Sequence, residues 1–150
     1  MRKKLLYAFW ILFPLLIGGI VGMIISNSMD YQNLIQPPLA PPSILFPIAW
    51  TVLYLLMGFS YFLYRKNYQD YKTIFIYYLQ LFFNALWSII FFVWKLRLLS
   101  IIWIMILFIL IIVTIYQFYQ KNKLSAFLLV PYLIWVGFAT YLNIGIYILN

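Results

Sequence analysis

The chain has 150 residues, of which 67% are apolar and only 8% are charged, and its mean hydropathy is +1.02. So small a polar fraction cannot cover a water-facing surface, which excludes a soluble globular protein. The net charge of +8 does not indicate nucleic-acid binding, because the ten basic residues stand singly or in twos and threes at the ends of apolar segments.

The first apolar segment predicts a membrane-spanning helix over residues 5–26. Although Arg2, Lys3 and Lys4 precede it, the segment is too long for a signal peptide and lacks a cleavage site of small residues. Gly18 and Gly22 form a small-xxx-small pair, which lets two backbones approach closely. The pair predicts either a dimer face or a packing face within one molecule.

The first loop, residues 27–43, is polar and proline-rich. Its paired prolines forbid a regular helix, so the sequence predicts a stiff, ordered loop. Seventeen residues are long for a simple connector. We therefore expect Tyr31 and the later prolines Pro41 and Pro42 to form a lid over a site between the helices.

The remaining chain predicts four more spanning helices, at residues 44–64, 73–94, 98–119 and 125–149. The connections between them are short, which places sequential helices side by side in antiparallel order. The predicted fold is an all-α, up-and-down bundle of five membrane-spanning helices, forming a single domain over residues 1–150.

The basic residues predict the orientation of this bundle. Eight of them lie at the N-terminus and in the second and fourth loops, whereas only Lys95 and Arg97 lie on the other side. The positive-inside rule then places the N-terminus in the cytoplasm and the first loop and C-terminus outside.

Aromatic and polar residues within the spans indicate a ligand site. Trp50 and Tyr54 are one helical turn apart, and Trp135 and Ala139 repeat this spacing in the fifth span. A large ring beside a small residue makes a slot in which a flat aromatic ligand can stack. Asn84 lies deepest in the hydrocarbon, and its amide is suited either to hold a ligand or to join two helices.

Conventional catalytic groups are missing from the spans. They contain no acidic residue, and the chain has no His and no Cys, so general acid–base catalysis, nucleophilic thiols, metal sites and imidazole haem ligands are not expected. Any enzymatic activity of the protein would therefore have to proceed without general acid–base groups, thiols or metal ligands.

Four segments together resemble the TspO family of tryptophan-rich sensory proteins, which includes the mitochondrial translocator protein. The first loop matches at Tyr31, Leu34, Pro37, Pro41 and Pro42, but Gln36 replaces the usual Lys and Leu39 the usual Trp. The second span matches at Phe46, Pro47, Trp50, Thr51, Leu53, Tyr54, Met57 and Gly58. The third matches at Gln80, Leu81, Asn84, Trp87, Ser88, Phe91 and Phe92, and the fifth at Pro131, Tyr132, Trp135, Phe138, Ala139, Leu142, Asn143 and Asn150.

This resemblance implies a five-helix protein of the bacterial cell membrane, commonly a homodimer, with a ligand cavity beneath the first loop. Members of the family bind protoporphyrin IX, haem and drugs of the isoquinoline carboxamide or benzodiazepine type, and no cofactor is required. Carried over by position, the ligand-binding residues are Tyr31, Trp50, Tyr54, Asn84, Trp87, Ser88, Trp135 and Ala139. Cholesterol recognition is not expected, because Tyr147 near the C-terminus is followed by no basic residue.

The resemblance leaves three functions to consider. The first is a membrane receptor or sensor of tetrapyrroles that affects porphyrin traffic or stress response. The second is light- and oxygen-dependent porphyrin degradation, with Trp50 and Trp135 as the candidate electron donors. The third is facilitative transport of porphyrin or lipid, without coupling to an ion because no ionisable group is buried in a span.

Overall fold

The computed structural model of the protein describes residues 1–150, and every regular element in it is helical. Five segments are long and apolar enough to cross a membrane. The helices are α1 (Arg2–Ile25), α2 (Leu45–Arg65), α3 (Tyr71–Ser88, continued by a π-helical turn at Ile89–Val93), α4 (Arg97–Tyr119), α5 (Lys123–Phe127) and α6 (Val130–Leu149). The prediction of an all-α, five-helix membrane protein is confirmed.

The fifth span differs from the single helix expected, since it is divided into α5 and α6. Pro131 explains the division because it has no N–H to donate to the carbonyl of Phe127, where α5 ends. The side chain of Asn122 caps the start of α5 by accepting a hydrogen bond from the Ser125 amide (3.1 Å).

The third span also differs from a regular helix at its end. The amide of Trp94 donates to the carbonyl of Ile89, five residues earlier, at 3.0 Å. This wider π-helical turn brings Phe91 and Phe92 into the interior, where both are buried. Such turns are rare and often occur at functional sites.

Helix α1 packs on α2, and the two backbones are in contact at Gly58. A Cβ atom there would overlap the carbonyl group of Ile11, so only glycine allows this approach. Helices α2 and α3 meet through the stacked rings of Tyr61 and Tyr77, whose centroids are 4.4 Å apart. Helix α4 closes the bundle by packing against α3, α5 and α6.

The first loop is ordered, as predicted, and it is fastened to α6. The amide of Ile35 donates to Oδ1 of Asn150 (2.9 Å), and Nδ2 of Asn150 donates to the carbonyl of Ile35 (2.8 Å). The Tyr141 hydroxyl donates to the Pro38 carbonyl at 2.6 Å. These bonds hold the loop over one end of the bundle.

Candidate functional site

A cavity of about 410 Å³ lies beneath the first loop, between α1, α2, α6 and the end of α3. Its volume falls within the range of small-molecule sites, roughly 300–1,000 Å³. Most of its wall is apolar, and no charged residue lines it. Six of the eight predicted ligand-binding residues line this cavity: Tyr31, Trp50, Tyr54, Trp87, Ser88 and Ala139.

The Trp50 ring packs against two other aromatic rings of the cavity wall. Its ring centroid is 5.5 Å from that of Tyr54 and 6.4 Å from that of Trp87, with the rings tilted by 30° and 38°. The indole N–H of Trp87 donates to Oδ1 of Asn143 at 2.9 Å, which fixes its ring. The cavity therefore presents broad aromatic faces to a ligand.

Asn84 does not line the cavity but lies behind Tyr54, fully buried. Its Oδ1 accepts from the Tyr54 hydroxyl at 2.6 Å, and its Nδ2 donates to the Tyr132 hydroxyl at 2.8 Å. The Tyr132 hydroxyl in turn donates to Oε1 of Gln80 at 3.0 Å. In this arrangement Asn84 joins α2, α3 and α6 and sets the position of Tyr54.

Trp135 does not line the cavity either, because it stands behind Trp50. The two rings meet edge to face, with centroids 6.5 Å apart, and the Phe46 ring centroid lies 5.9 Å from that of Trp135. The indole Nε1 of Trp135 is buried and donates to no acceptor in the protein. A free hydrogen-bond donor therefore lies behind Trp50.

Gly18 and Gly22, the candidate dimer face, both line the cavity of a single molecule. A Cβ atom at Gly18 would lie 2.3 Å from Cε2 of Tyr54, so this glycine makes room for the Tyr54 ring. A Cβ atom at Gly22 would meet nothing within 4 Å. The two glycines thus contribute width to the cavity.

Tyr31 closes the cavity from the loop side. Its ring packs edge to face on Phe46, with centroids 4.9 Å apart, and its hydroxyl donates to the Pro41 carbonyl at 3.2 Å. Burial raises the pKa of the Tyr31 phenol above its usual value, so the hydroxyl stays neutral. Pro41 and Pro42, predicted as the lid, do not line the cavity, and Pro41 acts through this hydrogen bond.

An ion pair that was not predicted from the sequence lies beside the cavity. Nη2 of Arg97 donates to both carboxylate oxygens of Asp30, at 3.1 and 2.9 Å. Nη1 of Arg97 donates to the carbonyl of Phe91 at 2.7 Å, and the guanidinium lies over the Phe91 ring. The signal was present, because Asp30 is one of only two acidic residues in the chain.

Known proteins resemble this chain over most of its length. The model of the TspO/MBR family matches residues 10–149. A tryptophan-rich protein TspO of Chlorobaculum tepidum is 37% identical over 82% of this chain and 80% of its own length. A tryptophan-rich sensory protein of Cereibacter sphaeroides is 34% identical over 81% of this chain and 77% of its own length. A translocator protein homolog of Schizosaccharomyces pombe is 32% identical over 93% of this chain and 88% of its own length.

Proposed function

Because this chain belongs to the TspO/MBR family, we propose that it is a membrane receptor or sensor that binds tetrapyrroles such as protoporphyrin IX or haem in the cavity beneath its first loop. Binding affects porphyrin traffic or a stress response. The same cavity accepts flat drug-like molecules of the isoquinoline carboxamide or benzodiazepine type. The observation that carries the proposal is the convergence of the Trp50 and Trp87 rings on one apolar cavity.

The chemistry of the wall supports a flat, largely apolar ligand. Aromatic faces bind planar π-systems by offset or edge contacts, each worth about 0.5–1.5 kcal/mol beyond the area buried. The chain has no His, so haem would be held by its ring faces and not by an imidazole ligand.

The test is a titration of the purified, detergent-solubilised protein with protoporphyrin IX in the dark, followed by tryptophan fluorescence. We expect saturable quenching, and Trp50→Leu should raise the Kd about tenfold because a stacking face is lost. Trp94→Leu is the matched control, since Trp94 is exposed and does not line the cavity. Absence of saturable quenching in the wild-type protein would contradict the proposed ligand class.

Light-dependent degradation of the bound porphyrin is the second candidate function. It is favoured by Trp50, an oxidisable ring in the cavity wall, with Trp135 in edge-to-face contact behind it. Illumination of the complex in air distinguishes the two functions by its absorption spectrum. A new absorbing species that requires the protein indicates degradation, and an unchanged spectrum indicates a binding sensor.

A further inference from the structure

The wall of the cavity is unevenly exposed. The residues that α3, its π-helical turn and α6 contribute are all buried, among them Trp87, Phe91 and Ala139. The exposed residues of the wall lie on α1, on α2 and in the chain that follows α1: Gly19, Gly22, Ser26, Met29, Pro47 and Thr51. The cavity therefore opens sideways, between α1 and α2.

The packing of these two helices explains why the gap lies at this end. At Gly58 the α2 backbone touches the carbonyl of Ile11 on α1. Further along α1, towards the first loop, a Cβ atom at Gly19 or at Gly22 would meet nothing within 4 Å. The helices are thus in close contact near their middle and leave open space towards the end where the cavity lies.

The rim of this opening is apolar in character. The hydroxyl of Ser26 donates to the Met23 carbonyl at 2.8 Å, and that of Thr51 donates to the Pro47 carbonyl at 2.7 Å. Both hydroxyls are therefore satisfied within their own segments and need no water. Since α1 and α2 are membrane-spanning helices, the gap between them faces lipid.

Access to the cavity from the water on the loop side is blocked by the first loop, which hydrogen bonds hold in place. The loop is bonded to α6 at Ile35 and Pro38, and Asp30 is held by the two hydrogen bonds from Arg97. Tyr31, which closes the cavity on the loop side, is only 4% exposed. Entry from the water side would require several of these bonds to break together.

We propose that the ligand enters and leaves the cavity from the bilayer, through the opening between α1 and α2, and that Gly19 and Gly22 keep this opening wide. The inference rests on the proposed function, and it defines the ligand class further. The ligands are planar molecules that dissolve in the hydrocarbon of the leaflet on the side of the first loop. Water-soluble molecules of the same shape are excluded.

The first test measures the binding kinetics of protoporphyrin IX with the protein in phosphatidylcholine vesicles. In Gly22→Leu and Gly19→Leu a branched side chain narrows the opening, and we expect both the association rate and the dissociation rate to fall by about tenfold. Ile20→Phe is the control, because Ile20 is exposed on α1 but does not line the cavity. Wild-type rates in both glycine variants would overturn the inference.

The second test locks the loop instead. The chain contains no Cys, so Ile35→Cys with Asn150→Cys gives a unique pair of thiols where the loop meets the C-terminus. A short bifunctional thiol reagent joins them, and the same double variant without the reagent is the control. Binding rates that cross-linking leaves unchanged support entry from the bilayer, and a tenfold fall on cross-linking would overturn it. If the wild-type protein binds no porphyrin, the proposed function itself is wrong. If it binds porphyrin but the rates respond as an entry route through the loop requires, only the entry route from the bilayer is wrong.

Discussion

At the scale of single residues, the side chains of the site fall into two groups. One group forms the surface of the cavity, and the other packs behind that surface and holds it in place. Trp50 and Tyr54 present ring faces to the cavity, whereas Asn84 and Trp135 stand behind them. Buried polar groups in a membrane must find partners inside the protein, and Asn84 satisfies two tyrosine hydroxyls at once. Its effect on a ligand is therefore indirect, through the position of Tyr54.

Asn84→Ala tests this supporting role. We expect the free energy of unfolding to fall by about 2–3 kcal/mol, because in a buried site the Tyr54 hydroxyl loses its acceptor and the Tyr132 hydroxyl loses one of its two partners. The measurement is unfolding in mixed micelles with increasing dodecyl sulfate. Asn27→Ala, at an exposed position in the loop, is the control. Equal stability of the two variants would contradict the assigned role of Asn84.

At the scale of elements, the first loop and α6 behave as one unit. Pro37 is seated against Gly145, where a Cβ atom would come within 2.6 Å of the proline ring. Asn150, just beyond the end of α6, pairs with both backbone groups of Ile35. The π-helical turn after α3 likewise shapes this end of the bundle, because it buries Phe91 and Phe92, which line the cavity.

Gly145→Ala should detach the loop from α6, since the rigid ring of Pro37 cannot move away without displacing its neighbours. The Ile35 amide, which donates to Asn150, should then exchange its hydrogen faster in hydrogen–deuterium exchange. Gly137→Ala is the matched control, because a Cβ atom there meets only the Phe108 side chain, at 3.4 Å. Unchanged exchange in Gly145→Ala would show that this contact does not hold the loop.

At the scale of the whole molecule, the bundle is held together by aromatic stacking and by a few internal hydrogen bonds, while its outer surface remains apolar. Exposed Leu, Ile, Phe and Met side chains occur along every span, as a lipid-facing surface requires. The cavity and the Asp30–Arg97 ion pair lie at the end of the bundle that carries only two basic residues. The orientation of the protein in the membrane therefore determines whether the cavity and the first loop lie towards the cytoplasm or towards the exterior.

The excess of basic residues at the other end predicts that the first loop faces the exterior. We expect a fluorescent protein fused to the N-terminus to fluoresce, and alkaline phosphatase fused to the C-terminus to be active, because an odd number of spans puts the termini on opposite sides. Phosphatase fused after Lys121 in the fourth loop should be inactive. The reverse pattern of activities would show that the orientation is inverted.

The sequence by itself determined the membrane class, the five spans and six of the residues that line the cavity. Hydropathy depends on composition, and a spacing of four residues places Trp50 and Tyr54 on one helical face in any packing. Two of the six, Trp87 and Ser88, follow only from the resemblance to the TspO family, because no spacing argument singles them out.

Only the tertiary structure decided which side chains stand behind that surface and where the cavity opens. Asn84 and Trp135 lie deep in the site, but depth along a helix does not say whether a neighbouring ring comes between a residue and the cavity. The pairing of Asp30 with Arg97 joins residues 67 positions apart. Likewise, the role of Gly22 depends on the open space between α1 and α2, which lies beyond the contact of Gly58 with Ile11 near the middle of the helix pair.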